Sequence, residues 1–275
     1  MCLLLLRSRR RARRAGTGQP ADVARLPERG LARSVRLFRL FRLEQAEPDR
    51  FYRALAADSV RQLESYTALP GRTVIDIGGG CGYFTAALRA AGAACCLVEP
   101  DLAELHGGRR GPGTPPAGPA VTGAVLGDGG RLPVRDGGAD VCFSSNVLEH
   151  VPDPLALISE MARVTRPGGI IYLSFTNWYS PWGGHEMSPW HYLGARYAEQ
   201  RYLRRHGRLP KNRPGVTLFP LHVGPLLRRL RARTDVELVD ALPRYYPRLC
   251  RPIAAVPLLR EVATWNLLLI LRRAS

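Results

Sequence analysis

A glycine-rich run follows a short apolar segment in the first third of the chain. Residues 74–82 read Val-Ile-Asp-Ile-Gly-Gly-Gly-Cys-Gly, and a largely apolar stretch, residues 83–88, comes directly after them. Glycine is needed where the backbone takes a positive φ or passes close to a ligand. A helix that begins just beyond the run offers free backbone N–H groups to the same ligand. The run therefore predicts a buried strand and a turn that cradles a nucleotide-type cofactor.

Strand-like and helix-like segments alternate through the middle of the chain. Five strands are predicted, at residues 73–77, 94–98, 120–126, 139–145 and 170–175. Helices are predicted between them at residues 82–91 and 154–165, with a turn at 166–169 ending the second. This alternation is typical of a parallel α/β sheet that is covered on both faces. Ligands bind such sheets at the carboxyl ends of the strands, where Glu99, Asp128 and Asn146 follow predicted strands.

The net charge of +17 is unevenly distributed over the 275 residues. Residues 1–42 carry 12 Arg and two acidic residues, whereas residues 43–195 carry 11 basic and 16 acidic ones. Residues 196–260 carry 15 basic and four acidic residues. We predict a disordered Arg-rich tail at residues 1–30, ahead of a domain that spans 31–275. The second basic region is either a solvated face or a surface for an anionic acceptor, nucleic acid or anionic membrane.

Cysteine usage and hydropathy indicate the compartment. None of the six cysteines forms a C-x-x-C pair, and Cys95, Cys96 and Cys142 fall in predicted strands, as reduced core thiols do. The first apolar residues precede the Arg cluster, which reverses the order of a secretory signal. No apolar run approaches the ~18 residues of a membrane span. These features predict a cytoplasmic protein.

The glycine spacing separates two kinds of cofactor. A dinucleotide fingerprint reads G-x-G-x-x-G, but Tyr83 occupies its third glycine position here. Asp76 also places a carboxylate close to the turn, where it would repel a pyrophosphate. A cofactor with a cationic amino-acid end would instead be attracted, so NAD(P) is the weaker alternative.

Four motifs in order resemble those of the class I S-adenosylmethionine (SAM) methyltransferases, from about residue 74 to residue 175. They are residues 74–82, Val98-Glu99-Pro100, Gly127-Asp128 followed by Leu132-Pro133-Val134, and Asn146-Val147-Leu148-Glu149-His150-Val151 with Arg166-Pro167-Gly168-Gly169. The resemblance implies a doubly wound, Rossmann-like sheet of seven strands in the order 3-2-1-4-5-7-6, the last antiparallel. It also implies an N-terminal helical extension and a substrate lid after strand five, at about residues 176–215.

The same resemblance implies roles in SAM binding. Asp76 would hold the methionine ammonium, Glu99 both ribose hydroxyls, and Asp128 the adenine amino group. Loop acids that only face solvent are the alternative for Glu99 and Asp128, and a helix cap is the alternative for Asn146. The predicted cofactor-binding residues are Asp76, Gly78, Gly80, Gly82, Glu99, Asp128 and Asn146.

Three histidines are candidates for acid–base catalysis. His150 follows the fourth strand beside the expected methyl-transfer position, and an imidazole has a pKa suited to proton removal near neutrality. His185 and His191 belong to an aromatic, Gly-rich segment, residues 177–192, that either contacts the acceptor or packs on itself. No metal site is predicted, because the spacing of His185, Glu186 and His191 matches no H-E-x-x-H pattern.

The predicted reaction is in-line transfer of the SAM methyl group, giving S-adenosylhomocysteine. A small-molecule, sugar or lipid-linked acceptor is the first hypothesis. An RNA acceptor is the alternative, favoured by the basic charge, although no Asn-Pro-Pro-Tyr type motif is present. An NAD(P)-dependent oxidoreductase is the further alternative, and the sequence predicts no oligomeric state.

Overall fold

The structure is a computed structural model, and it describes residues 30–44, 46–105 and 123–275. The predicted tail, apart from Gly30, and residues 120–122 of the predicted third strand lie outside these ranges. Within them, one sheet contains β1 Thr73–Ile77, β2 Ala94–Glu99, β3 Ala124–Leu126, β4 Ala139–Ser145, β5 Thr165–Thr176, β6 Val236–Pro243 and β7 Asn266–Arg273. The helices are α1 Leu31–Phe41, α2 Pro48–Glu64, α3 Tyr83–Ala90, α4 Leu102–Leu105, α5 Pro154–Val164, α6 Ala195–His206, α7 Val223–Arg231 and α8 Leu259–Ala263.

The strand order is β3-β2-β1-β4-β5-β7-β6, as the resemblance implied. The first five strands are parallel, and β7 runs antiparallel to both β5 and β6. Since β1 lies between β2 and β4, the chain reverses its direction of strand addition there. Ligand crevices form at such a switch point, beyond the carboxyl ends of β1 and β4.

The prediction of a turn between α5 and β5 was only half right. Thr165 already pairs with Ala139, while the next ladder pair joins Ile170 to Val141. The residues in between bulge out of the ladder, and Arg166 forms a 2.6 Å ion pair with Asp140. Pro and Gly therefore interrupt the pairing without ending the strand, because the register resumes on the same neighbour.

Two apolar cores cover the two faces of the sheet. Along β5, Ile171, Leu173 and Phe175 belong to the core under α5 and α7. Ile170 and Tyr172 point to the opposite core, which the apolar faces of α1, α2 and α3 complete. Because side chains alternate along a strand, β5 is apolar on both faces, as a central strand must be.

Cysteine burial agrees with the sequence prediction at two positions. Cys95 and Cys142 are buried in β2 and β4, Cys96 is half-buried, and all the described cysteines are free thiols. No helix among the described residues is long and apolar enough to cross a membrane.

The N-terminal helices are fixed to the sheet by a buried ion pair. Arg33 of α1 donates to both carboxylate oxygens of Asp58 in α2, at 2.8 and 2.6 Å. The same guanidinium donates to the carbonyl of Arg244 just beyond β6, at 3.0 Å. Arg33 and Arg244 are both buried, so part of the predicted basic surface belongs to the interior instead.

The predicted lid (residues 176–215) packs as a small unit after β5. It contains two 3₁₀ turns, His185–Met187 and Trp190–Leu193, followed by α6. Trp178, Met187 and Ala198 of this segment form a small apolar core with Leu218, which lies just beyond it. This segment lies over the carboxyl end of β4, because the N–H of Phe219, just beyond it, donates to the carbonyl of Glu149 at 2.8 Å.

Candidate active site

Asp76 lies near the carboxyl end of β1, fully buried beneath the glycine turn. Its Oδ2 accepts a 2.6 Å hydrogen bond from the hydroxyl of Thr85 in α3, and its Oδ1 has no partner among the described residues. Burial raises the pKa of Asp76 to about 7, the hydrogen bond from Thr85 opposes the rise, and the charge of Glu99 adds to it. A cationic group is the partner that such a carboxylate lacks.

The glycine turn leaves no room on its inner side. A Cβ on Gly79 would lie 2.4 Å from Oδ2 of Asp76, and one on Gly78 would lie 2.5 Å from a methyl of Val147. Gly80 has a φ of +53°, and the nearest atom to its Cβ position among the described residues, its chain neighbours aside, is an oxygen of Glu104 at 4.0 Å. The turn is therefore packed against β1 and the β4 loop on one side and open above Gly80. Gly82 has a φ of 82° and caps the start of α3.

Glu99 is the acid at the end of β2, and it holds the glycine turn. Its Oε2 accepts from the N–H of Gly80 at 2.9 Å, and its Oε1 accepts from the N–H of Asp101 at 3.1 Å. Burial raises the pKa of Glu99, and these two backbone bonds oppose that effect. Each oxygen keeps a second lone pair for a ligand hydroxyl, which suits a ribose diol.

Asp128 follows β3 on the outer side of the same edge. It is exposed, and its Oδ1 accepts from the N–H of Gly130 at 3.0 Å, which fixes the local turn. Its other carboxylate oxygen can accept from an amino group. Asp76 and Glu99 thus lie at the carboxyl-terminal ends of β1 and β2, and Gly80 and Asp128 lie just beyond β1 and β3, while their cofactor contacts stay predictions.

Asn146 is held by two side chains that sequence reasoning did not select. Its Oδ1 accepts from Asn266 Nδ2 at 2.8 Å and from Arg244 Nη1 at 3.3 Å, and its backbone has a φ of 58°. Arg244 is fully buried and also donates to Ser59, Ser145 and Ser174. Asn146 therefore has a fixed orientation, and its cofactor contact stays a prediction.

Glu149, His150 and His185 come together beside the β4 loop. One potential ligand atom from each lies within 4.8 Å of the other two. The rings of His150 and His185 meet edge to face, with centroids 5.0 Å apart. Burial, followed by the charge of His150, lowers the pKa of His185, so its ring is neutral at pH 7. The cluster adjoins the glycine turn, because Val147 of the same loop contacts the Cβ position of Gly78.

His191 occupies a different environment. It is buried inside the predicted lid, its Nε2 lies 3.1 Å from the carbonyl of Ser180, and its ring packs edge to face on Trp178. This position favours a packing role, and a catalytic role for His191 stays a prediction. The structure thus brings two of the three candidate histidines into one cluster.

An aromatic wall connects the N-terminal helices to the glycine turn and the lid. Tyr83, the first residue of α3, stacks on Tyr52, and its hydroxyl donates to Asp49 at 2.9 Å. Phe41 of α1 packs against Trp182 of the lid and against Tyr245. The helical extension therefore packs against both the glycine turn and the predicted lid.

The sheet order, the acidic strand ends and the glycine turn together define a class I SAM-dependent methyltransferase. The orphaned Oδ1 of Asp76 and the open face of Gly80 suit the amino-acid end of SAM, and Glu99 suits its ribose. A family model described as a methyltransferase domain matches residues 75–173. A solved SAM-dependent methyltransferase from Mesorhizobium loti shares the fold, with a TM-score of 0.52 and 21% identity over 79% of this chain and 98% of that one.

Curated relatives match almost the whole chain. It is 47% identical over 251 residues to an uncharacterized methyltransferase of Mycobacteroides abscessus, covering 88% of this chain and 94% of the relative. It is also 47% identical over 253 residues to one of Mycolicibacterium vanbaalenii, with the same coverage. The chain belongs to this methyltransferase family, and its cofactor is SAM. This finding decides against the NAD(P)-dependent alternative.

Three site features lay beyond sequence reasoning. Thr85 has no signal of its own beyond its place in the first turn of α3. Arg244 lies in an Arg-rich part of the sequence, which suggests an exposed position. Its burial depends on the packing of α2 against the sheet. His185 lies 35 positions after His150, so their contact depends on how the predicted lid folds.

Proposed function

We propose that this methyltransferase acts on a small-molecule, sugar or lipid-linked acceptor that carries an anionic group. The observation that carries the proposal is an apolar and basic surface on the predicted lid. Trp190, Tyr192 and Leu193 are exposed there, and the guanidinium of Arg201 lies 3.9 Å from the ring centroid of Trp190. Such a surface suits the apolar part and the anionic head of an amphiphilic molecule.

The basic residues beside this surface support an anionic acceptor. Arg204, Arg205 and Arg208 are exposed at the end of α6 and just after it. Lys211 then reaches back across the crevice and forms a 2.8 Å ion pair with Glu104 of α4. The predicted lid thereby spans from the β4 loop to the cofactor side, which favours an acceptor of small cross-section over a folded macromolecule.

The main role of the protein in this reaction is to position the acceptor relative to the methyl group. SAM supplies a methyl group that is already activated by its sulfonium, so the residues must align an acceptor lone pair with the methyl carbon. The new bond forms as the carbon–sulfur bond breaks, and its electron pair stays on sulfur. A hydroxyl acceptor also loses its proton, and the Glu149–His150–His185 cluster, beside the glycine turn, is the group that we propose assists this loss.

RNA remains the second candidate because of the same exposed arginines. A single experiment separates the two: incubate the protein with methyl-labelled SAM and cell extract, then divide the products into organic-solvent, aqueous small-molecule and RNA fractions. We expect the label in one of the first two fractions, unaffected by ribonuclease. Label that ribonuclease converts to small fragments would contradict the proposal and favour RNA.

A further inference from the structure

We propose that Glu149, His150 and His185 bind a divalent transition-metal ion, with Zn²⁺ as the ion to test first. Two imidazoles and one carboxylate are ligands that zinc accepts, and three protein ligands leave a coordination position open for an exogenous oxygen. The three residues come from two segments, the β4 loop and the predicted lid, which meet only in the folded chain.

Only one of the two carboxylate oxygens of Glu149 has a hydrogen-bond partner among the described residues. Its Oε1 accepts a 2.9 Å hydrogen bond from the N–H of Thr176, while its buried Oε2 has no partner. Its side chain is 1% exposed, and no Lys or Arg of the described residues forms an ion pair with it. A buried carboxylate oxygen without a partner destabilises the fold unless a cation or a hydrogen-bond donor satisfies it.

The orientation of His150 leaves one ring nitrogen available. Its Nδ1 lies 2.7 Å from the carbonyl oxygen of Thr217, which only accepts hydrogen bonds. Nδ1 therefore carries the hydrogen, and the lone pair of a neutral ring is on Nε2. Metal-binding histidines are oriented in this way, by donating their other N–H to a carbonyl or carboxylate.

His185 supplies the third atom. Its Nε2 is buried and has no hydrogen-bond partner among the described residues. The ligand atoms lie within 4.8 Å of one another, compared with roughly 3.4 Å between two ligands of a tetrahedral zinc ion. A small rotation of the side chains closes this difference. The cluster thus brings together three potential ligands, two of which hold a buried atom without a hydrogen-bond partner among the described residues.

The position of the cluster suggests what the ion does. It lies beside the glycine turn, on the β4 side rather than the ribose side, where the acceptor has to meet the methyl group. An ion there polarises an acceptor hydroxyl and lowers its pKa, so that the proton passes to solvent as the oxygen–methyl bond forms. This role rests on the proposed function, whereas the metal site itself does not.

The test uses the full chain without a histidine tag, stripped of metal by a chelator. Calorimetric titration with Zn²⁺, and the visible absorption of the Co²⁺ form, measure binding without any acceptor. We expect one Zn²⁺ per chain, and at least about tenfold weaker binding for His185→Ala and for Glu149→Gln, which keeps an acceptor for the N–H of Thr176. His206→Ala, at an exposed position of α6, is the matched control and should bind like the wild type.

Two results would overturn the site: a wild type that binds no Zn²⁺ at micromolar concentration, or variants that all bind as the wild type does. Circular dichroism and SAM affinity on the same samples show whether a variant has folded. A wrong acceptor class leaves these binding results unchanged. Zinc binding without any effect of chelation on methyl transfer would support the site and contradict its activating role.

Discussion

The hydroxyl of Thr85 donates a 2.6 Å hydrogen bond to Oδ2 of Asp76, while Oδ1 of the same carboxylate has no partner among the described residues. This contact ties the first turn of α3 to the end of β1, and Gly79 passes over it without room for a side chain. The carboxylate is thus fixed in place and buried, and its Oδ1 lacks a hydrogen-bond donor. Its protonation should therefore depend on whether the cofactor is bound.

SAM binding should release protons near neutral pH. The pKa of Asp76 is raised to about 7 in the free protein, so both protonation states are populated near neutral pH. The methionine ammonium favours the ionised form, so binding expels that proton. Calorimetry at pH 7, in two buffers with different ionisation enthalpies, should report a net release of protons on SAM binding.

The pH dependence of affinity checks the same claim. The affinity should fall as pH drops from 7 to 5.5, because an increasing share of Asp76 must first lose its proton. Asp76→Asn should bind SAM weakly and without this pH dependence. An unchanged affinity over this range in the wild type would contradict the assignment.

Asp76 should also make stability depend on pH in the absence of SAM. Its folded pKa of about 7 exceeds the ordinary value of 3.8, so the folded state holds the extra proton. The contribution of Asp76 to the free energy of unfolding is therefore fully present below pH 3.8 and is lost as pH rises through 7. The loss reaches about 4 kcal/mol at most.

Asp76→Asn should therefore raise the melting temperature at pH 8 by more than at pH 5. The amide resembles the protonated acid and keeps an oxygen for the hydroxyl of Thr85. Thermal unfolding at the two pH values measures the difference. An increase of the same size at both pH values would mean that titration of Asp76 is not its cause.

Gly79→Ala should damage the cofactor turn. The new methyl would lie 2.4 Å from Oδ2 of Asp76 and 2.7 Å from Leu97, so the turn or β2 must move, at a cost of about 1–3 kcal/mol. Thermal unfolding and SAM calorimetry measure the two consequences. Gly130→Ala is the control, since the nearest atom to its Cβ position is 3.7 Å away. Equal stability of the two variants would refute the packing argument.

Arg244 should make a large contribution to the stability of the fold. Its guanidinium connects Ser59 of α2 with Ser145 and Ser174, the latter in β5, and lies 5.8 Å from the ring centroid of Tyr172. Arg244→Met would leave these hydroxyls with fewer partners and should cost about 2–4 kcal/mol. Denaturant unfolding measures this loss.

Arg244→Lys separates charge from shape. A lysine keeps the charge but lacks the planar fork that donates in several directions. We expect it to recover less than half of the stability that Arg244→Met loses. Full recovery would show that charge alone explains the burial of Arg244.

The parts of the fold that local pattern determines could be predicted from the sequence. β1 and β4 have the predicted boundaries, and α3 begins where the glycines end, because apolar runs and glycine act over a few residues. The strand order came from the family resemblance and was confirmed. The start of β5 differed, since pairing with β4 continues on both sides of the Pro-Gly bulge.

The cofactor side of the site was more predictable than the acceptor side. Asp76 and Glu99 lie at or near the ends of strands that the sequence pattern predicts, so their positions could be predicted as well. The contact between His150 and His185 depends on the path of the predicted lid, which has no periodic pattern. The burial of Arg244 likewise depends on how α2 packs on the sheet, so its sequence context suggested an exposed residue.

The most direct test of the account is SAM calorimetry on the wild type, Asp76→Ala and Glu99→Ala, with NADH as the competing ligand. We expect one SAM per chain, no NADH binding, and at least about tenfold weaker SAM binding in each variant, since each loses a charge-assisted contact of roughly 1.5–3 kcal/mol. His206→Ala should match the wild type. Unchanged SAM affinity in both carboxylate variants would contradict the assigned site.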